Sequence, residues 1–186
     1  GKSTKVPFFV PFIDKSDILE MKKTLNSTVL TNGPKLKQFE TAFRKVTKAK
    51  FAVGVSNATS ALHLSLNAIG IEQGDEVLVP NLTFAASANS IILAGGTPVI
   101  VDVNETMNIS SNSIRKAISK KTKAIMPVHF AGLSCQMDEI KDIAKANSLK
   151  IVEDCAHAIG TKFKSKHVGT IGDAGCFSFY PTKNIS

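Results

Sequence analysis

Residues able to do chemistry follow two of the apolar segments of this chain. Lys183 closes the stretch "CFSFYPTK", five residues beyond Ser178. Glu153 and Asp154 end the apolar run "KIVED", and His157 lies three residues further on. A carboxylate at the end of a buried strand is costly unless it meets a positive partner. The lysine, the acids and the imidazole are therefore candidates for one shared site.

Each of these residues also has an ordinary structural explanation. Most lysines that follow strands are simply solvated, and a carboxylate beside a helix start is often only a cap. Neighbouring strand residues point to opposite sides, so only one of Glu153 and Asp154 is expected to face a given site. From the residues alone, a functional acid and an ordinary helix cap are about equally good interpretations here.

Two further segments could hold a phosphate and an aromatic ring. In "SNATSAL", Ser56 and Asn57 can cap a helix. The small Ala58 and Thr59 then leave its first N–H groups accessible, as in phosphate sites, although a plain N-cap is a common alternative. Phe84 in "NLTFAAS" stands where another helix is predicted to begin. For a lone phenylalanine, core packing is the stronger interpretation.

These segments belong to a repeated alternation of apolar strands and amphipathic helices. Helices are expected between successive strands, and the pattern predicts strands over 51–55, 75–80, 98–103, 123–128, 150–154 and 175–179. Such an alternation is typical of an α/β fold around a mostly parallel sheet. Ligands of these sheets bind at the carboxyl ends of the strands, where the candidate residues lie.

The composition excludes several other classes of protein. The 186 residues are 43% hydrophobic and 20% charged, as in an ordinary globular domain. The longest apolar runs fall well short of the ~20 residues that span a bilayer. The three cysteines and four histidines are scattered, which argues against a metal site. The net charge of +8 comes from dispersed lysines, which favours a solvated surface over a nucleic-acid site.

Taken together, the candidate residues match what pyridoxal 5'-phosphate (PLP) requires. A lysine can form an imine with the aldehyde, and an acid can keep the pyridine nitrogen protonated. A helix N-terminus and an aromatic side chain can hold the phosphate and the ring. A dinucleotide site is disfavoured, because "GTIGDAG" leads into a strand rather than opening a helix.

The sequence resembles the DegT/StrS family of sugar aminotransferases, which have the fold-type-I architecture. The resemblance runs from "VPFFVPFID" to the last residue. It rests on "TNGPKLKQFE", "SNATSALHLSL", "GDEVLVPNLTFAASANSI", "TKAIMPVHFAGLSCQMDEI" and "IVEDCAHAIGTKFKSKHVGTIGDAGCFSFYPTKN". Together these segments look like those of members that aminate 4-keto sugar nucleotides. The resemblance implies a three-layer α/β/α large domain with a mostly parallel, mixed sheet.

The resemblance also implies a role for individual residues. Lys183 matches the Schiff-base lysine, and Asp154 matches the acid paired with the pyridine nitrogen. His157 occupies the position beside the cofactor ring, and Phe84 matches the aromatic residue stacked on it. Glu153 then becomes a structural neighbour. The phosphate binders of the family match Ala58, Thr59 and Ser178.

The resemblance further implies a longer protein. Family members continue through the rest of the large domain and a small C-terminal domain, and the "GEGG"-like turn that follows their lysine is not in this sequence. We expect residues 1–15 to be an N-terminal segment and residues 16–186 to be an incomplete PLP-binding domain. The chain alone is expected to be inactive. The complete protein is expected to be a cytoplasmic homodimer whose subunits share residues at the phosphate site.

The activity implied is transfer of an amino group from glutamate or glutamine to a nucleotide-linked keto sugar. Lys183 would serve as general base and acid for the proton shift. Two alternatives stay open. One is sugar dehydration, whose enzymes carry histidine in place of the lysine. The other is a non-catalytic family member, against which the pair of Asp154 and Lys183 argues. Nucleic acid, membrane and metal are not expected as partners.

Overall fold

The computed structural model describes residues 6–7 and 9–185 of the protein. Its strands are β1 (Glu76–Pro80), β2 (Thr97–Val101), β3 (Thr122–Ile125), β4 (Lys150–Asp154), β5 (Lys162–Phe163), β6 (Lys166–His167) and β7 (Ala174–Cys176). Five of them form a sheet in the order β2-β1-β3-β4-β7, in which all neighbours are parallel. β5 and β6 form a separate antiparallel hairpin. The predicted parallel sheet is therefore confirmed.

The helices lie between the strands as the sequence predicts. They are α1 (Lys15–Leu25), α2 (Pro34–Thr47), α3 (Ala58–Ala68), α4 (Ala86–Leu93), α5 (Ser111–Ala117) and α6 (Met137–Ala146), with a short 3-10 turn at Phe130–Gly132. α3 shows both expected ends. The Asn57 side chain accepts the N–H of Ser60 at 2.8 Å, and Gly70 follows the helix with φ +85°. Within the described residues, no helix is long and apolar enough to cross a membrane.

Two apolar cores cover the opposite faces of the sheet. Side chains alternate along β1, so Val77 and Val79 face one core while Leu78 faces the other. α3 and α4 pack on the first face, and α5 and α6 on the second. Leu66 and Ile140, one from each core, are completely buried. Each such side chain stabilises the fold by about 1.5–3 kcal/mol. The three-layer α/β/α architecture is confirmed.

Residues 51–55 do not form the buried strand that their apolar sequence predicts. They are irregular, and Phe51 and Val53 are 74% and 78% exposed. α2 holds the segment through Glu40, whose carboxylate accepts the N–H of Gly54 at 2.8 Å. A groove of about 1340 Å³ is lined by this segment on one side and by β7 and residues 177–181 on the other. The prediction is wrong because an apolar segment becomes a buried strand only beside a pairing neighbour, and the described residues supply none here.

The apolar face of α1 is also uncovered. Ile18, Met21 and Leu25 lie on one face of the helix, as predicted, but they are 60%, 64% and 66% exposed. The helix itself begins with a capping box, in which Asp14 and Asp17 each accept an N–H from the other. Local capping and amphipathic spacing therefore predict α1 correctly, while none of the described residues covers its apolar face.

Candidate functional site

Asp154 ends β4 with its carboxylate held in a fixed position. The residue is 5% exposed. Its Oδ2 accepts the Ser87 hydroxyl at 2.8 Å, and its Oδ1 accepts the Ala156 N–H at 3.1 Å. A carboxylate can accept about four hydrogen bonds, so capacity for a further donor remains. Asp154 is thus a buried, oriented acceptor at the carboxyl end of a parallel strand, where ligands of such sheets bind.

Glu153 points to the other side of β4 and is occupied inside the protein. Its side chain is completely buried. The ring of His129 lies 3.0 Å from Oε2. The remaining donors, at 2.7–2.8 Å, are the backbone N–H groups of Gly169, Ile171 and Gly172. These four contacts use the accepting capacity of the carboxylate, so Glu153 ties β4 to two loops and is a poor candidate for binding a ligand.

The hydrogen bonds of His129 show on which ring nitrogen its proton lies and how it meets Glu153. His129 Nδ1 accepts the N–H of Cys135 at 3.1 Å. The ring proton therefore sits on Nε2 and points at Glu153. Burial on its own raises the pKa of Glu153, but the hydrogen bonds from His129, Gly172 and Gly169 outweigh it and hold that pKa below its ordinary value. Glu153 is consequently an ionised structural anchor.

His157 and Lys183 share the electrostatic environment of Asp154. His157 is half-buried, and its ring meets Phe130 edge-on with 6.1 Å between centroids. Burial lowers the pKa of His157, and the charge of Lys183 lowers it further, while Asp154 opposes them. Lys183 is half-buried in a turn, where its N–H donates to the Tyr180 carbonyl at 2.8 Å. The charges of Lys183 and Asp154 therefore both act on the pKa of His157, as one shared site would require.

The N-terminus of α3 has the properties of an anion site. The N–H of Ser60 is taken by the side chain of Asn57, whereas those of Ala58 and Thr59 have no possible acceptor within the helix. The positive end of the helix dipole lies at the same place. Ala58 and Ser178 both line the groove beside residues 51–55. Two of the three residues predicted to bind phosphate, Ala58 and Ser178, thus line one groove, whereas Thr59 is not among its lining residues.

Phe84 is not a core residue. It precedes α4 at the end of the loop that follows β1, and its side chain is 75% exposed. The structure excludes the core packing that is the stronger interpretation of a lone phenylalanine. An exposed aromatic ring at the carboxyl end of the sheet can instead form one wall of a ligand site.

Sequence reasoning missed the hydroxyl groups that support Asp154. Thr83 Oγ1 lies 2.7 Å from Ser87 Oγ, and Ser87 reaches Asp154. A signal was available, because residues four apart at a helix start lie on the same side. His129 was also missed as a structural partner, and here no spacing in the sequence indicates it.

A cluster of possible metal ligands lies behind the site. The ligand atoms of His129, Glu153 and Cys155 are within 4.8 Å of one another and are buried. However, both nitrogens of the ring and both oxygens of the carboxylate are engaged in hydrogen bonds. Burial, followed by the charge of Glu153, raises the pKa of Cys155 well above its ordinary value, so the thiolate that a metal needs is disfavoured. The cluster is best explained as packing.

The three cysteines are expected to resist alkylation in the native full-length protein. Burial raises the pKa of both Cys135 and Cys176 to about 12, and it raises that of Cys155 strongly, so the reactive thiolate is scarce at neutral pH. Iodoacetamide labelling with and without urea, followed by peptide mass spectrometry, measures this. Native labelling of any of the three at the rate of free glutathione would contradict it.

Comparison with known proteins places the chain in a family. Residues 11–186 match the profile of the DegT/DnrJ/EryC1/StrS aminotransferase family. The chain is 47% identical to the spore coat polysaccharide biosynthesis protein SpsC of Bacillus subtilis (strain 168), over 97% of this chain and 47% of the relative. It is 43% identical to GDP-perosamine synthase of Escherichia coli O157:H7, over 97% of this chain and 50% of the relative.

The solved structures agree with the sequence comparison. Spr1654 from Streptococcus pneumoniae, in its PLP form, superimposes with a TM-score of 0.93 at 35% identity, covering 98% of this chain and 51% of that one. The chain therefore spans about half the length of the relatives it matches. The resemblance and the fold class inferred from the motifs are both confirmed, and the chain belongs to the DegT/DnrJ/EryC1/StrS aminotransferase family.

Proposed function

We propose that the full-length protein containing this chain is a PLP-dependent aminotransferase that acts on a nucleotide-linked keto sugar. The observation that carries the proposal is the buried Asp154 carboxylate, held by Ser87 and Ala156 at the end of β4, whose charge acts with that of Lys183 on the pKa of His157. Of the two adjacent carboxylates, only Asp154 keeps capacity for an added donor. An acid of this kind and a nearby lysine are what a PLP enzyme supplies to its cofactor.

The residues present fit the cofactor. The Asp154 carboxyl group would accept the N–H of the pyridine ring, and Phe84 would lie against the face of that ring. The first N–H groups of α3 at Ala58 and Thr59, together with the Ser178 hydroxyl, would hold the phosphate. When bound, PLP would supply an aldehyde that captures amino groups and a ring that draws electron density from the carbon being deprotonated.

The protein's own part in the reaction is to place charges and move protons. The Lys183 amine would hold the cofactor by its aldehyde carbon between turnovers and, once released, would take a proton from one carbon and return it to another. His157, with a pKa lowered by burial and by Lys183, would be neutral beside the ring and able to hydrogen-bond without adding charge. Asp154 would accept a hydrogen bond from the pyridine nitrogen and keep that nitrogen protonated.

The amino acceptor is proposed to be a keto sugar attached to a nucleoside diphosphate. The similarity to GDP-perosamine synthase supports this class of acceptor, and the net charge of +8 suits a diphosphate. Glutamate or glutamine is the proposed amino donor. We further propose a cytoplasmic homodimer, in which residues 1–15 form an N-terminal segment and residues 16–186 are part of the PLP-binding domain.

Two other functions remain alternatives. Sugar dehydration on the same fold would require histidine in place of Lys183, which the sequence does not have. A non-catalytic family member would not need an oriented, buried acid, and the hydrogen bonds to Asp154 argue against it.

The proposal is tested by incubating the purified full-length protein, loaded with PLP, with a panel of keto sugar nucleotides. Each is offered with glutamate and with glutamine, and products are identified by liquid chromatography and mass spectrometry. We expect an aminated sugar nucleotide and the matching 2-keto acid in equal amounts. A dehydrated sugar nucleotide without amine would support the first alternative. The absence of turnover across 3-keto and 4-keto substrates, with PLP bound, would favour the second.

A further inference from the structure

We propose that Ser87, supported by Thr83, is a positioning residue that fixes the Asp154 carboxylate for its cofactor. This inference rests on the proposed PLP function. The inference rests on two linked side-chain hydrogen bonds. Thr83 Oγ1 lies 2.7 Å from Ser87 Oγ, and Ser87 Oγ lies 2.8 Å from Asp154 Oδ2. This chain of hydrogen bonds starts in the loop before α4 and ends on the last residue of β4, 67 positions later in the sequence than Ser87.

The direction of this chain follows from what each group can donate. An ionised carboxylate only accepts, so the single hydroxyl proton of Ser87 points at Asp154 Oδ2. The Ser87 oxygen must then receive the proton of Thr83, because its own is already used. Hydroxyls linked in one direction polarise each other, which strengthens the final bond to the charged acceptor.

The arrangement restrains both oxygens of the acid. Ser87 holds Oδ2 and the Ala156 N–H holds Oδ1, so rotation about the last side-chain bond of Asp154 would break one contact or the other. Ser87 is completely buried and Asp154 nearly so, which leaves little water to replace a lost donor. One carboxylate orientation is thereby selected before any ligand arrives.

The same stretch of chain also carries the exposed aromatic ring. The N–H of Ser87 donates to the carbonyl of Phe84 at 3.0 Å, so the two residues occupy one turn at the start of α4. A shift of this turn would move the Phe84 ring and the Ser87 hydroxyl that holds Asp154 together. Ser87 therefore links the position of Phe84 to that of the Asp154 carboxylate. A residue that serves only core packing would not link the two.

The helix offers a matched control for a test. Ser90 lies one turn further along α4 and is also completely buried, but its hydroxyl donates to the Ser87 carbonyl at 2.8 Å instead of to Asp154. Ser87→Ala and Ser90→Ala each remove one buried hydroxyl oxygen from α4. Only Ser87→Ala removes a hydrogen bond to Asp154. Thr83→Val and Thr83→Ser form a second pair, in which only the valine removes the hydroxyl.

The experiment uses the full-length protein and measures PLP dissociation by equilibrium dialysis, the visible circular dichroism of bound PLP, and kcat and KM. We expect Ser87→Ala to weaken PLP binding about ten-fold, because a hydrogen bond to a buried charge is lost. Its kcat should fall and its dichroism should change, while KM for the sugar nucleotide should be unchanged. Thr83→Val should act in the same direction by about three-fold, and Thr83→Ser and Ser90→Ala should resemble wild type.

The possible outcomes separate this inference from the function on which it rests. If the wild-type protein binds PLP and turns over, but Ser87→Ala matches wild type or Ser90→Ala in PLP affinity and dichroism, the positioning role is overturned while the aminotransferase proposal stands. If Ser87→Ala fails to fold, the Thr83 pair decides by the same criteria. If the wild-type protein does not bind PLP, both proposals are overturned.

Discussion

Lys183→Ala in the full-length protein is expected to lose transamination by on the order of 10⁴-fold, because one side chain is proposed to hold the cofactor and to move the proton. Lys183 is half-buried, and its charge contributes to lowering the pKa of His157. Turnover with the best keto sugar nucleotide measures the loss. The exposed Lys141→Ala on α6 is the matched control and should retain full activity.

The same expectation has a direct chemical test. Borohydride reduction of the PLP-loaded wild-type protein, followed by peptide mapping, should place the pyridoxyl label on Lys183 and on no other lysine. The Lys183→Ala variant should take up no label. A label on another lysine would assign the cofactor bond elsewhere, and activity retained in Lys183→Ala would remove the lysine from the mechanism.

Asp154→Asn and Glu153→Gln are expected to fail in different ways. Asparagine preserves the shape of the acid but cannot keep a pyridine nitrogen protonated, so we expect kcat to fall about a hundred-fold with little change in stability. Glutamine at 153 would turn an NH₂ group toward backbone N–H donors in a buried site. We expect it to destabilise the fold by about 3 kcal/mol while changing kcat far less.

Urea unfolding and steady-state kinetics on the two full-length variants measure this separation. The exposed Glu139→Gln on α6 controls for loss of a negative charge and should change neither quantity. Similar turnover in Asp154→Asn and Glu153→Gln would mean that the wrong carboxylate carries the chemistry, or that neither does. Wild-type stability in Glu153→Gln would refute the anchoring role of Glu153.

The parts of the fold that local sequence determines were predictable. Capping residues located α3, helical spacing located α6, and apolar runs located β1 and β4, because these signals act within a few residues. Residues 51–55 show the limit. Their composition is that of a buried strand, but strand formation depends on a neighbour, which composition does not report.

The candidate site was predictable to a similar extent. Positions at the ends of strands pointed to Asp154, His157 and Lys183. The choice between Asp154 and Glu153 depended on family resemblance. The hydrogen-bond donors around Glu153 became visible only in the structure. The glycines of "GTIGDAG" show that the role of a glycine is not evident from the sequence alone. Gly169 has φ +81°, and a Cβ there would lie 2.5 Å from Phe177, so this glycine permits close packing of chain segments rather than a nucleotide turn.

The four donors of Glu153 also constrain how the protein assembles. They come from segments 24 residues before Glu153 and 16 to 19 residues after it, so they meet the carboxylate only once β3, β4 and the loop over 169–172 have come together. An unpaired carboxylate in this position would oppose collapse until its last donor arrives. Although residues 169–172 have no regular secondary structure, we expect hydrogen exchange to show that their amides open together with the central sheet and not with the surface loops. One buried side chain thus makes an irregular loop part of the cooperative folding unit that carries Asp154.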